Sequence, residues 1–542
     1  MQDLATDPRL HASRGHPIAL PPADHLGLQS LPAFDRDRFF TFGWGPTQSL
    51  RFSTILEGFS HYAALQPDAI AVEHQGTSIS YGALDVASDR LAGLLAGQGV
   101  TRGHVVGLYL QRSIEMVVGI LAAMKVGAAY APQHVGVAPT ESLKYIAKQT
   151  GAKVLLTLSR LQGDVPVDPD HQMLICIDEV MNDESHPAIA PQGTDYYLHP
   201  DDRAMVLFTS GTTGVPNGVQ VTHKNLCNIL HTRPGNLGMR PGLRVGQILS
   251  IAFDMAAWET LGALSNGATL VIRGKSIAET AEKVDILIGT PSILNTLDIE
   301  RCQNIKVAAV AGEPCPRPLA DAWSQFCTFY NSCGPTETTI INTAEPHNAH
   351  KAELSIGRPT PNNTVYVLDE DLSPLPIGAK GTMWAGGDCV TAGYLANPKL
   401  TDERYRPDPF RPGHMMFNTR DLGSWTDDGE LLHHGRVDDL VKVCGFRVEL
   451  DGVSAALEAS EGCEQAVTLK YDNRNLVSFI SPATADPDLA TQSVEATLPY
   501  YNKPSLVMVL DELPRTARGK IDKRLLLEMA KAEVETRGVE LK

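Results

Sequence analysis

The 542-residue chain has nine cysteines (Cys176, Cys227, Cys302, Cys315, Cys327, Cys333, Cys389, Cys444 and Cys463) but no C-x-x-C pair. That absence removes the usual spacing of a zinc site or a disulfide framework. Reduced, intracellular thiols are expected. No long Lys/Arg run is present: 46 basic against 63 acidic residues leave a net charge of −17. A nucleic-acid or anionic-membrane partner would call for a basic patch, so both are excluded as expectations. The longest apolar run, Met116 to Pro132, is broken by Lys125, and the N-terminus, M-Q-D-L-A-T-D-P-R-L-H, has no signal-peptide core. A soluble cytoplasmic protein is expected. No repeat of roughly 20 to 50 residues and no low-complexity tract occurs. The Ser/Thr/Gly-rich stretch Leu207 to Gly218 has neither the G-K-[ST] ending of the common nucleotide loop nor G-x-G-x-x-G opening a helix.

What is there points to a large α/β enzyme. A hydrophobic fraction of 43% supplies ample core, and the length calls for several subdomains. Residues 1–50, rich in Pro, His and Asp with little periodicity, predict an extended or partly disordered arm. Over 51–435, strand and helix patterns alternate: Ala69 to Glu73, Val105 to Leu110, Val154 to Leu158 and Met173 to Ile177 read as strands. Leu84, Ala87, Leu91 and Leu95 space one helix, and Ile114 to Lys125 forms another. This texture implies largely parallel sheets. After Gly357, short strands between Pro and Gly clusters predict a small β-barrel-like subdomain. Residues 436–542 predict a separate, mobile α+β lobe with two helices, near Gly452 to Ala459 and Asp522 to Glu533.

Within this frame the stretch Leu207 to Gly218, L-F-T-S-G-T-T-G-V-P-N-G, follows an apolar strand. Thr209, Ser210, Thr212 and Thr213 set hydroxyls beside Gly211 and Gly214, whose missing Cβ atoms let backbone N–H groups curve around an anion. A nucleotide triphosphate tail is the natural ligand. Further stretches follow in order: K-V-G-A-A-Y-A-P from Lys125, F-D-M-A-A-W-E from Phe253, N-S-C-G-P-T-E-T from Asn331 and T-R-D-L from Thr419. G-R-V-D-D-L-V-K-V-C-G-F-R-V-E from Gly435 and P-R-T-A-R-G-K-I-D from Pro514 complete the series. Any one could be chance. The ordered set resembles the adenylate-forming (ANL) superfamily, and within it the adenylation domains of nonribosomal peptide synthetases. The wording around Phe253 and Asn331 is similar to fungal synthetases, including the hydroxamate siderophore type.

The resemblance implies a two-step reaction on ATP and Mg²⁺. A carboxylate attacks the α-phosphate to give an acyl-adenylate and pyrophosphate, and the phosphopantetheine thiol of a peptidyl carrier partner then takes the acyl group. Such chemistry needs alignment and charge stabilisation rather than a covalent nucleophile. Lys520 is implied as the catalytic cation between carboxylate and α-phosphate, and Glu337 as the Mg²⁺ ligand. Thr209, Ser210, Gly211, Thr212, Thr213 and Gly214 would hold the phosphates, with Gly312, Glu313, Pro314, Asn331, Ser332, Cys333 and Thr336 around the nucleotide. Asp421, His433 and Arg436 would meet the ribose. Asp438 is implied as the hinge that withdraws Lys520 and brings Val443 to Phe446 toward the incoming thiol.

Asp254 in the family pattern pairs with a substrate α-ammonium, implying an amino acid, since burying a lone carboxylate would be costly. By alignment, Met255, Trp258, Ile288, Ala309, Ala311, Ser332, Ile340 and Ile341 complete the pocket. Its lack of other charge, Lys520 apart, favours a large neutral side chain, aromatic or an acylated hydroxyornithine. Departures are Cys333 for the Tyr that stacks on adenine, Asn217 for a phosphate-loop Lys, Ala256 for Ser and Arg420 for the Gly before Asp421. No carrier G-G-x-S or condensation H-H-x-x-x-D-G stretch occurs, which fits an excised domain or a free-standing enzyme. An acyl-CoA ligase or a degenerate nucleotide-binding module is the alternative.

Overall fold

The computed structural model describes residues 27–183, 185, 187–209, 216–437, 440–443, 446–515 and 521–537. Its larger lobe is built on two mainly parallel sheets. The six-stranded sheet runs Met173–Cys176, Val154–Thr157, Val105–Leu110, Ala129–His134, Arg203–Thr209, Asn217–Thr222, with only the last strand antiparallel. The nine-stranded sheet has the parallel centre Thr328–Cys333, Val307–Val310, Ile286–Gly289, Arg244–Gln247, Thr269–Ile272. Every residue of Val105–Leu110 is buried, the near-continuous apolar run of a strand covered on both faces.

The helix Ile114–Lys125 touches strands of both sheets and is buried along almost its whole length. Ser113 caps it by accepting from the Met116 N–H. Gly119 is the point of closest approach: an added Cβ would stand 2.9 Å from Ile177 Cδ1. Lys125 ends the helix 2.6 Å from Asp85 and 2.5 Å from Asp89. The K-x-G-x-x-Y-x-P stretch is thus a structural joint, its one buried cation matched by two carboxylates.

Three expectations need correction. Within the arm, Ala33–Gly43 is helical. Aromatic anchoring rather than a periodic face fixes it: Phe39 stacks on Tyr366 at 5.7 Å and meets Phe410 at 4.9 Å. The β-rich subdomain is a five-stranded antiparallel sheet in which no pairing among the described residues closes a barrel. Among the described residues of the smaller lobe the helices are Leu450–Glu458, Pro487–Thr497 and Lys523–Arg537, one more than expected. Asp486 caps the additional one, with Pro487 at its first position, a signal readable as D-P in the sequence. The eight described cysteines are free thiols. Among the described residues no helix is long and apolar enough to cross a membrane.

Candidate active site

Parallel strands leave a crevice beyond their carboxyl ends, and here it deepens into a cavity of about 780 Å³. Strand ends bring Asn331, Ser332 and Cys333, then Gly334 to Thr336, to one wall, with Gly312, Glu313 and Pro314 beside them. The chain must turn sharply here. A Cβ on Gly334 would lie 2.5 Å from Ile341 Cα, and Thr339 and Ile340 have φ of 55° and 70°. Left-handed backbone at β-branched residues is strained, and Ile340 faces the cavity.

Asp421, His433 and Arg436 meet at the same wall because the strands Met415–Trp425 and Leu431–Arg436 pair antiparallel, Asp421 opposite Arg436. Arg436 Nη1 donates to Asp421 Oδ1 at 2.7 Å, and His433 Nε2 lies 3.4 Å from the same oxygen. Arg420 has φ of 58°, which accounts for the glycine that the family pattern places there, and it is held by Glu403 at 2.8 Å. The sulfur of Cys333 and the donor atoms of Asp421 and His433 lie within 4.8 Å of one another. Metal binding is disfavoured: His433 Nδ1 accepts from the Gly435 N–H, which leaves the proton on Nε2, and Asp421 is already engaged by Arg436.

Glu337 lies one layer behind Thr336, fully buried and outside the cavity lining, and its Oε1 accepts from Tyr394 Oη at 2.7 Å. A carboxylate is a hard oxygen donor, the chemistry that suits Mg²⁺. Asp254 opens the helix Asp254–Ser265 and, with Met255, Ala311, Ser332 and Ile340, lines the cavity. Trp258, Ile288, Ala309 and Ile341 do not. Side chains on one face of a strand recur every second residue, so Ile288 and Ala309, opposite each other in register, lie one layer beneath Thr290 and Ala311. Trp258 is fully buried, with its Nε1 donating to Gly235 O at 2.6 Å. Ile341 is likewise core.

The wider cavity carries charge outside the pocket positions read from the sequence. Arg112, Arg273, Lys470 and His134 line the cavity. They lie outside every motif; Arg112 and Arg273 each follow a parallel strand by one or two residues, which was the available signal. Below them Glu259 accepts from the N–H groups of Ile248 and Leu249 and from Gln247, and burial pushes its carboxyl up to about 8.

From the smaller lobe, Val441, Phe446, Lys470 and Tyr500 reach the cavity. Phe446 lies 5.4 Å from Phe253 and stacks on Tyr501 at 4.1 Å and 4°. Arg515 and Ile521, which flank Lys520, bridge to each other and do not line the cavity. Thr209 ends its strand at a second, small cavity of about 80 Å³ beneath Phe253. Ser210, Gly211, Thr212, Thr213 and Gly214, the hinge Asp438, Cys444 with Gly445, and Lys520 lie outside the described residues.

Adenylate-forming reductase 06235 of Coprinopsis cinerea is 44% identical over 507 residues, covering 93% of this chain and 49% of that protein. Tyrocidine synthase 1 of Brevibacillus parabrevis is 32% identical, covering 88% of this chain and 45% of its own length. The chain therefore spans about half the length of these relatives. An NRPS protein containing adenylation and PCP domains, solved with a vinylsulfonamide inhibitor, superposes with a TM-score of 0.78 at 23% identity over 88% of this chain and 84% of its own. The model of the AMP-binding enzyme family matches residues 59–395, and this chain belongs to that family.

Proposed function

We propose that the chain activates a carboxylic acid by adenylation: the acid's carboxylate oxygen attacks the α-phosphorus of ATP, the bond to the β-phosphate oxygen breaks, and acyl-AMP and pyrophosphate result. The observation that carries this reading is the cavity wall on which Asp421, Arg436 and His433 face Asn331 to Thr336. Asp421 would accept from ribose hydroxyls, with Arg436 fixing its orientation, and the Thr336 hydroxyl would donate to the α-phosphate. Mg²⁺, held by Glu337, would neutralise charge shared between the phosphates. Lys520 would supply the cation between the two reacting anions. Asp254 at the start of its helix supports an α-amino acid substrate.

The second step we assign to a carrier-borne phosphopantetheine thiol, which attacks the acyl carbon and releases AMP. The cavity's smaller-lobe lining, the hairpin residues Val441 and Phe446 rather than the flanks of Lys520, supports a pose for that step. The adenylate-forming reductases, at 44% identity over 93% of the chain, favour a reductase context over a peptide synthetase. In a reductase the acyl thioester would end as an aldehyde or alcohol; in a synthetase, in an amide. Acid-dependent exchange of pyrophosphate into ATP tests the first step. Exchange with a defined set of acids is expected, and ATP binding without exchange for any acid would overturn the reading. Product analysis with a carrier, a reductase module and NADPH, against a carrier and a condensation module, separates reduction from amide formation.

A further inference from the structure

We propose that Arg112, Ser250 and Arg273 form an oxyanion subsite for a second carboxylate of the activated acid, so that the chain acts on dicarboxylic acids. This rests on the acid-activation reading above. The three residues converge on one loop. Arg112 Nε donates to Leu249 O at 3.0 Å and its Nη2 to Ile248 O at 3.1 Å, which pins the loop that carries Ser250. Arg273 follows the neighbouring strand, its backbone N–H donating to Gln247 O at 3.0 Å. All three line the large cavity.

Arg273 Nε and Ser250 Oγ are buried with no hydrogen-bond partner among the described residues. Leaving such groups unsatisfied is costly, and a carboxylate would accept from both. The two guanidinium groups oppose each other: burial and the neighbouring Arg273 lower Arg112 to about 10, and burial is the first cause lowering Arg273. Glu259, the acid beneath them, offsets part of this charge, but both of its oxygens already accept from the Ile248 and Leu249 N–H groups and from Gln247. A ligand carboxylate would supply further negative charge and fill the open donors.

The subsite's place argues that this ligand is the acid. Three strand spacings, roughly 14 Å, separate the Arg244 strand from the strand bearing Asn331, which puts Ser250 far from the ribose wall. Asp254 lies four residues beyond Ser250 and lines the same cavity. An acid reaching from the nucleotide past Asp254 would set its distal carboxylate among these donors. The other source of the same chemistry is the phosphate of a pantetheine arm.

Calorimetry with the whole chain compares L-aspartate with its β-methyl ester, L-glutamate with its γ-methyl ester and L-2-aminosuberate with its distal methyl ester, diacids that keep the α-ammonium Asp254 would pair. Pantetheine 4′-phosphate against pantetheine forms the second arm. Wild type is expected to prefer a diacid over its ester by about tenfold or more, the scale of a charge-assisted pair. Arg273→Gln should abolish that preference, Arg273→Lys retain part of it and Ser250→Ala weaken it, with the ATP-induced rise in Tm kept as the control for folding. No diacid preference, or one that survives Arg273→Gln, overturns the proposal. An Arg273-dependent preference confined to the phosphorylated pantetheine overturns it in favour of the thiol arm. Diacid binding without exchange would sink the adenylation reading and leave the subsite standing; exchange with neutral acids alone would do the reverse.

Discussion

At the residue scale, Asp421 has two neighbours that define it, the Arg436 guanidinium at 2.7 Å and the His433 ring at 3.4 Å. Asp421→Asn keeps the shape but halves the acceptor capacity and leaves Arg436 poorly matched. We expect the KM for ATP in pyrophosphate exchange to rise about tenfold or more, with a loss of about 1–3 kcal/mol of stability. An unchanged KM would remove Asp421 from the nucleotide site. Two buried rings make a separate prediction. Burial lowers His223 and His231 to about 4, and His223 Nε2 and His231 Nδ1 have no hydrogen-bond partner among the described residues. A histidine depressed in the folded state binds its proton more readily when unfolded, so its stability contribution is complete above about 6.5 and lost as pH falls toward 4. Each ring can cost up to about 3 kcal/mol at the acid end. Urea midpoints measured from pH 7 to 4 should fall, and less steeply in His223→Gln.

At the scale of elements, the contact between lobes has an aromatic part, beside the Ser142 Oγ that donates to Thr497 O at 3.2 Å. Phe446 of the Phe446–Glu449 strand stacks on Tyr501 and meets Phe253, which precedes the Asp254–Ser265 helix. Stacked rings add about 0.5–1.5 kcal/mol beyond their burial. Tyr501→Leu should therefore loosen this pose. Transfer to a carrier thiol is expected to fall roughly tenfold further than pyrophosphate exchange, read as thioester yield against exchange rate. Equal losses in both would tie Tyr501 to general stability instead. The helix Ile114–Lys125 was legible in full because one residue type, apolar, fills nearly every position between a capping Ser113 and Gly127. The helix Ala33–Gly43 was not, since rings that come from 320 or more residues later in the chain hold it.

Across the whole molecule, the cavity's lining couples the two lobes. Val441 and Phe446 reach it, whereas Arg515 and Ile521 turn to each other on the smaller lobe's own surface. Adenylation through Lys520 would then need the smaller lobe to rotate, the motion assigned to Asp438. Lys520→Ala is expected to cut pyrophosphate exchange by at least about a hundredfold, on the scale of losing an electrostatic stabiliser of a transition state. Transfer from acyl-AMP supplied to the enzyme should persist, and thermal unfolding should stay near wild type. Undiminished exchange would refute the role given to Lys520.

The sequence by itself determined the α/β class and the order of the motifs, because hydrophobic period and loop chemistry are local properties of the chain. It placed Asp421, Arg436, His433, Asn331 to Thr336 and Asp254 at one site, and the cavity gathers them. Only the tertiary structure decided which pocket positions face the cavity. Trp258, Ile288, Ala309 and Ile341 are buried and do not line it, a matter of what covers each face. It alone revealed Arg112 and Arg273, which belong to no motif and lie 161 residues apart in a 542-residue chain. Charge at a site is a sum over elements that sheet order brings together, and sheet order is not written in any single stretch of sequence.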